Sequence, residues 1–184
     1  MSDNTNRREA MAGMALGACA AVGGVYALAG MKSAWDPLPS VKAAGTTSVD
    51  LSTAEENVLY TEKWRGKPVF ILKKTAGMLA KQSNNDKKRD LIINGSSYLV
   101  CVGLCTHLGC IPSYKAESED FLCACHGATY DISAINTKAP APLPMLIPPF
   151  KINGNTLILG EAGDEYNKMK EAGVLGKTPL DPKA

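Results

Sequence analysis

Two short runs of this 184-residue chain concentrate the side chains that bind metals. They are Cys105-Thr106-His107-Leu108-Gly109-Cys110 and Cys123-Ala124-Cys125-His126-Gly127, with fifteen residues between His107 and Cys123. Each run supplies two thiols and one imidazole, which uses both of the chain's 2 histidines and four of its 6 cysteines. A four-coordinate site takes at most four of these groups. Tetrahedral zinc accepts two Cys and two His. So does a two-iron cluster with two imidazoles on one iron and two thiolates on the other. The spacing C-x-H, fifteen residues, C-x-x-H matches the second arrangement through Cys105, His107, Cys123 and His126. Neutral imidazoles in place of thiolates remove negative charge and raise the reduction potential. An imidazole whose second nitrogen reaches the surface also exchanges a proton near neutral pH. The chemistry offered is joint transfer of an electron and a proton.

The rest of the composition narrows the setting. A net charge of +2, from 20 basic and 18 acidic residues, leaves no nucleic-acid footprint. A charged fraction of 21% beside 45% hydrophobic residues is not a disordered composition. Six cysteines are too few for a disulfide-only scaffold of this length. Of the two outside the runs, Cys19 reads as a small apolar filler and Cys101 as a buried strand thiol. Trp35 and Trp64 read as packing or interface residues, and Lys87-Lys88-Arg89 as a solvated loop.

The elements that must position the two runs read mainly as β. Leu59 to Trp64, turning at Arg65-Gly66-Lys67-Pro68 into Val69 to Leu72, predicts a hairpin. Leu91-Ile92-Ile93, Asn94-Gly95 and Tyr98 to Val102 predict a turn into a buried strand. Phe150 to Ile152, Asn153-Gly154 and Thr156 to Leu159 carry the clearest hairpin signal in the chain. One short helix is expected within Thr75–Lys88, and a helical turn around Tyr166–Ala172.

Residues 10–31 contain no charge, and as a helix those 22 residues span about 33 Å, enough for a hydrocarbon core. Arg7 and Arg8 precede them, so the positive-inside rule keeps the N-terminus cytoplasmic and sends the remainder outward. Asn6-Arg7-Arg8-Glu9 also resembles a twin-arginine export signal, a route that carries folded proteins. A retained anchor over 1–31 is expected, with cleavage at Ala27-Leu28-Ala29 or a buried soluble helix as alternatives. Residues 32–48, with Pro37, Pro39 and a run of small residues, read as a flexible tether of about 55 Å at full extension. Residues 49–184 form the head.

C-T-H-L-G-C paired with C-x-C-H-G resembles the Rieske iron–sulfur proteins, specifically the subunit of bacterial cytochrome bc-type quinol–cytochrome c oxidoreductases. The resemblance runs through the anchor, the hinge, the cluster loops 105–110 and 123–130, and the proline loop 139–144, Ala-Pro-Ala-Pro-Leu-Pro. It implies an all-β, antiparallel Rieske-type head tethered to one N-terminal transmembrane helix. One 2Fe-2S cluster is implied, with Cys105 and Cys123 on the buried iron and His107 and His126 on the exposed iron. The remaining sulfurs, Cys110 and Cys125, are expected as a disulfide joining the two loops in a periplasmic head. Tyr130 matches the family's tyrosine that hydrogen-bonds a cysteine sulfur.

The implied function is that of a respiratory-chain subunit of quinol–cytochrome c reductase in the bacterial inner membrane. His126, with His107 second, takes an electron and a proton from quinol at cytochrome b, and head movement passes the electron to a c-type cytochrome. The complex is expected to be dimeric. The chain departs from high-potential members at Ala128, where a serine hydroxyl usually bonds a bridging sulfide, and this favours menaquinol over ubiquinol. Thr129 is expected to point elsewhere. The alternatives are the Rieske subunit of a periplasmic oxidase of the arsenite oxidase type and a structural zinc domain.

Overall fold

The computed structural model describes residues 2–36, 41 and 45–177, in two units, Met1–Ala43 and Ala44–Ala184. The first unit is one helix, α1 (Ser2–Trp35), whose 34 residues run about 51 Å. Its Asn6–Trp35 portion is long and apolar enough to cross a membrane. Side chains from Asn6 onward in α1 are exposed, Cys19 and Trp35 included.

The helix runs on past residue 31. Residues 32–35 continue the helix, and the Asp36 N–H still donates to the Lys32 carbonyl at 3.1 Å. Lys32 is favoured in a last turn because its cation faces the negative end of the helix dipole. The stop comes one residue before Pro37, where proline disfavours helical backbone. Residues 37–40 and 42–44 of the expected tether lie outside the described residues, and Thr47 and Ser48 at its far end already belong to a strand.

The head is built from three antiparallel sheets. One pairs β1 (Thr47–Asp50) with β11 (Thr156–Leu159), and β11 with β10 (Phe150–Asn153). A second has the order β2 (Leu59–Trp64), β3 (Lys67–Lys73), β5 (Ser96–Val102), β4 (Leu91–Ile93). The third is a meander of β6 (Ser113–Lys115), β7 (Asp120–Cys123), β8 (Ala128–Tyr130) and β9 (Asn136–Lys138). Short helices α2 (Ala76–Lys81) and α3 (Asp164–Glu171) and a 3₁₀ turn at Asp86–Arg89 complete it. The turn predicted over residues 65–68 is only two residues long. Arg65 and Gly66 both take positive φ, as do Asn94 and Gly95, which gives the tight turn that matches strand twist.

The middle sheet is buried on both faces, which explains why β3 and β5 read as unbroken apolar runs. Successive strand residues point to opposite sides. Val69, Ile71, Tyr98, Val100 and Val102 pack on one side with Phe150, Leu157 and Leu159. Phe70, Leu72, Leu99 and Cys101 pack on the other with Phe121, Tyr130, Cys105 and Cys123. Phe70 and Phe121 stack with centroids 5.7 Å apart and planes 8° from parallel. The Phe70 ring also covers Gly103, where a Cβ would lie 2.5 Å from ring carbons. Each such side chain, fully buried, contributes about 1.5–3 kcal/mol. Trp64 is buried as expected for a packing residue, its indole N–H donating to the Gly45 carbonyl at 2.9 Å.

Candidate metal centre

The first cysteine–histidine run leaves β5 and closes on itself. The Cys105 N–H donates to the Cys110 carbonyl at 2.7 Å, and the Gly109 N–H returns to the Cys105 carbonyl at 2.8 Å. Gly109 takes φ +84°, the left-handed backbone the turn requires. The second run is the tip of the β7–β8 hairpin. Cys123 sits opposite Ala128, and the Gly127 N–H bonds the Cys123 carbonyl at 2.9 Å. Cys110 and Cys125 form a disulfide between the two loops, with Cα atoms 6.7 Å apart.

This construction separates the four remaining groups by depth. Cys105 and Cys123 are both 1% exposed. His107 is half-buried and His126 is exposed. The two imidazoles meet edge to face, with centroids 4.7 Å apart and planes at 89°. Burial pushes the Cys123 thiol up, while the backbone N–H groups of Cys125 and His126 pull it back and its hydrogen bond with Cys105 pushes it up again. Two buried sulfurs that close to each other destabilise the paired thiolates unless a cation lies against them.

The Nδ1 atom of His107 is buried with no hydrogen-bond partner among the described residues. An orphaned buried acceptor or donor costs about 1–3 kcal/mol, and a metal bond removes that cost. Cys110, Cys123 and Cys125 also gather their sulfurs within 4.8 Å of one another. That trio is not a metal site, because two of its sulfurs are bonded to each other and carry no thiolate charge. The set of two sulfurs and two imidazoles fits a two-iron cluster better than any group containing the disulfide.

Tyr130 lies beneath the sulfurs. Its hydroxyl donates to Cys105 Sγ at 3.2 Å and accepts the Thr106 N–H at 2.8 Å. Burial, and then the bond to Cys105, push its phenol up to about 12. The Thr106 hydroxyl donates to the Leu143 carbonyl at 2.7 Å, which leaves the Tyr130 proton for the sulfur. Thr106 therefore fastens the first cluster loop to the proline loop. It was not singled out from the sequence, although its place between two ligand candidates was the available signal. Ala128 is fully buried and brings no hydroxyl. The Thr129 hydroxyl is taken by Thr137 at 2.7 Å, so it does point elsewhere.

The reading of Lys87-Lys88-Arg89 as a solvated loop is corrected in part. The two lysines are exposed, but Arg89 is 3% exposed, because the 3₁₀ turn rotates it inward onto three carbonyl groups. Beside it lies a second buried group that the sequence did not reveal: Lys74 Nζ bonds Asp90 Oδ1 at 2.5 Å, with Ser97 on the other carboxylate oxygen. Cys101 is a buried strand thiol as expected, pushed up to about 12 by burial, with Sγ 3.9 Å from Met145 Sδ. The first cluster loop, its following residue and the proline loop each expose an apolar side chain: Leu108 at 68%, Ile111 at 62% and Leu143 at 41%.

Residues 48–151 match the Rieske [2Fe-2S] domain family. The chain is 35% identical over 170 residues to the ubiquinol-cytochrome c reductase iron-sulfur subunit of Allochromatium vinosum, covering 77% of this chain and 82% of that protein. It is 36% identical over 168 residues to the subunit of the same name from Bradyrhizobium diazoefficiens, covering 85% and 95%. A chain of a solved hyperthermophilic respiratory Complex III superposes with a TM-score of 0.55 at 30% identity, covering 78% of this chain and 97% of that one.

Proposed function

The chain belongs to the Rieske [2Fe-2S] family, and on that premise we propose that it is the iron–sulfur subunit of a bacterial cytochrome bc-type quinol–cytochrome c oxidoreductase. The observation that carries the reading is the buried, unpartnered Nδ1 of His107, edge to face with His126 and above two buried cysteine sulfurs. Cys105 and Cys123 would hold the inner iron of one 2Fe-2S cluster, and His107 and His126 the outer iron. When bound, the cluster supplies a one-electron acceptor whose potential is raised by its two neutral ligands.

The chain's own residues do the rest. His126, the exposed imidazole, presents Nε2 to the quinol oxygen and takes up its hydroxyl proton, with His107 as the less accessible second contact. Leu108, Ile111 and Leu143 form an apolar collar that seats this end against a cytochrome b subunit and excludes water. The Cys110–Cys125 disulfide keeps the two ligand-bearing loops from parting. Arg7 and Arg8 hold the N-terminus in the cytoplasm and place the head in the periplasm, where a disulfide persists. The head then moves on its tether to a c-type cytochrome, within a dimeric complex.

Menaquinol is the favoured donor. The relatives are named for ubiquinol, but a hydroxyl that would stabilise the reduced state is absent at Ala128, and neither Thr129 nor Tyr130 has one free to replace it. An EPR-monitored redox titration of membranes containing the full chain with its b and c haems tests the assignment. A Rieske signal with a low midpoint, appearing on reduction by menaquinol, is expected. A colourless, EPR-silent zinc protein would overturn it.

A further inference from the structure

We propose that Arg89 is a positioning residue for the cluster end of the head, acting by clamping the base of the proline loop. The proposal rests on the reading above for what that loop shields. Arg89 comes from the 3₁₀ turn before β4, far from the ligand loops in sequence, and its side chain ends among carbonyls of three separate segments. Nε donates to the Ser133 carbonyl at 2.8 Å, just after β8. One terminal nitrogen donates to the Met145 carbonyl at 2.7 Å, immediately after the proline loop, and the other to the Val174 carbonyl beyond α3. Among the described residues no carboxylate pairs with it: Asp90 next door is occupied by Lys74, Gln82 and Ser97. A buried cation whose partners are all backbone carbonyls fixes the course of the backbone.

From Met145 the effect reaches the sulfur through named bonds. The Met145 N–H donates to the Ala134 carbonyl at 2.9 Å, so Met145 and the segment after β8 are joined twice, once directly and once through Arg89. Two residues before Met145, the Leu143 carbonyl accepts from Thr106, whose N–H donates to the Tyr130 hydroxyl, which donates to Cys105 Sγ. Arg89 thus holds both the segment leaving Tyr130 and the loop that fixes Thr106. A lysine carries the same charge but ends in one nitrogen and cannot match a planar fork spread over three carbonyls.

The test uses the detergent-solubilised complex with the full chain, as wild type, Arg89→Met and Arg89→Lys. Three readouts are taken: amide hydrogen exchange across 143–147, the rate of histidine modification by diethyl pyrocarbonate, and the midpoint potential by EPR. In Arg89→Met the loop amides exchange faster by on the order of ten- to a hundredfold. Histidine modification accelerates and the midpoint falls, with Arg89→Lys between the two. Wild-type exchange, histidine reactivity and potential in both variants would overturn the proposal. Where Arg89→Met fails to accumulate, Arg89→Lys decides alone, and wild-type values in it refute the clamp. Failure of the underlying reading shows separately, as a wild type without a Rieske signal.

Discussion

Replacing Ala128 by serine is expected to raise the midpoint potential, and the structure bounds the effect. Ala128 is fully buried, and its partner across the β7–β8 ladder is Cys123, one of the two inner sulfurs. A hydroxyl there would sit among sulfur acceptors with no competing donor nearby, because Thr129 is bonded to Thr137 and Tyr130 to Cys105. A hydrogen bond to a charged acceptor is worth about 1.5–3 kcal/mol, which for one electron is about 65–130 mV. That is an upper bound, because only the part of the bond that strengthens on reduction appears in the potential. The assay is an EPR-monitored redox titration of wild type, Ala128→Ser and Tyr130→Phe under identical conditions. Ala128→Ser should shift upward and Tyr130→Phe, which removes the bond to Cys105, downward. Thermal unfolding separates the two fates of the new hydroxyl, since an unpaired buried hydroxyl costs about 1–3 kcal/mol and lowers Tm. A flat potential with lowered Tm would refute the reasoning and the menaquinol preference built on it.

The other predictions are simpler. Tyr114 and Tyr130 are both held up to about 12, the first chiefly by burial and then by Glu119 and Asp120. Their contribution to stability is complete below the unfolded value of about 10 and is lost as pH climbs through about 12. Tyrosinate absorbance in the folded protein should therefore show Tyr114 and Tyr130 ionising well above pH 10, and ionisation of these two near pH 10, followed with Tyr114→Phe and Tyr130→Phe as references, would contradict this. Cys110→Ser opens a disulfide that closes a separation of 15 residues, worth about 3 kcal/mol, so heat should abolish the EPR signal at a lower temperature than in wild type. Gly103→Ala drives a methyl into the Phe70 ring and should lower stability by about 1–3 kcal/mol in denaturant titration, with Phe70→Leu partly rescuing it.

What the sequence disclosed followed from local chemistry. The metal-binding runs were legible because ligand type and spacing are properties of a few consecutive residues. The hairpins at Asn94-Gly95 and Asn153-Gly154 were legible because turn chemistry is local too. What stayed hidden depends on distant partners. β1 pairs with β11 across more than a hundred residues, and nothing in Thr47-Ser48-Val49-Asp50 announces it. The strands β6 and β9 are three residues each, too short for an alternating pattern. Arg89 follows two exposed lysines and carries the same charge, so only the inward rotation of the turn tells it from them. Thr106 was overlooked because its partner, the Leu143 carbonyl, belongs to the backbone and leaves no mark in residue identity.

The doubly buried middle sheet also constrains how this head can diverge by descent. Parity along β3 and β5 assigns each side chain to one of two cores, so a single inserted or deleted residue in either strand would exchange the two sets. Phe70 would leave Phe121, and Cys105, three residues beyond β5, would arrive at the wrong side. Lineages can therefore lengthen or shorten the mostly exposed turn at 116–119, where no strand counts residues, and adapt the head to new neighbours there. The interval from Lys67 through Cys105 admits substitution within β3 and β5 but not a change of their length.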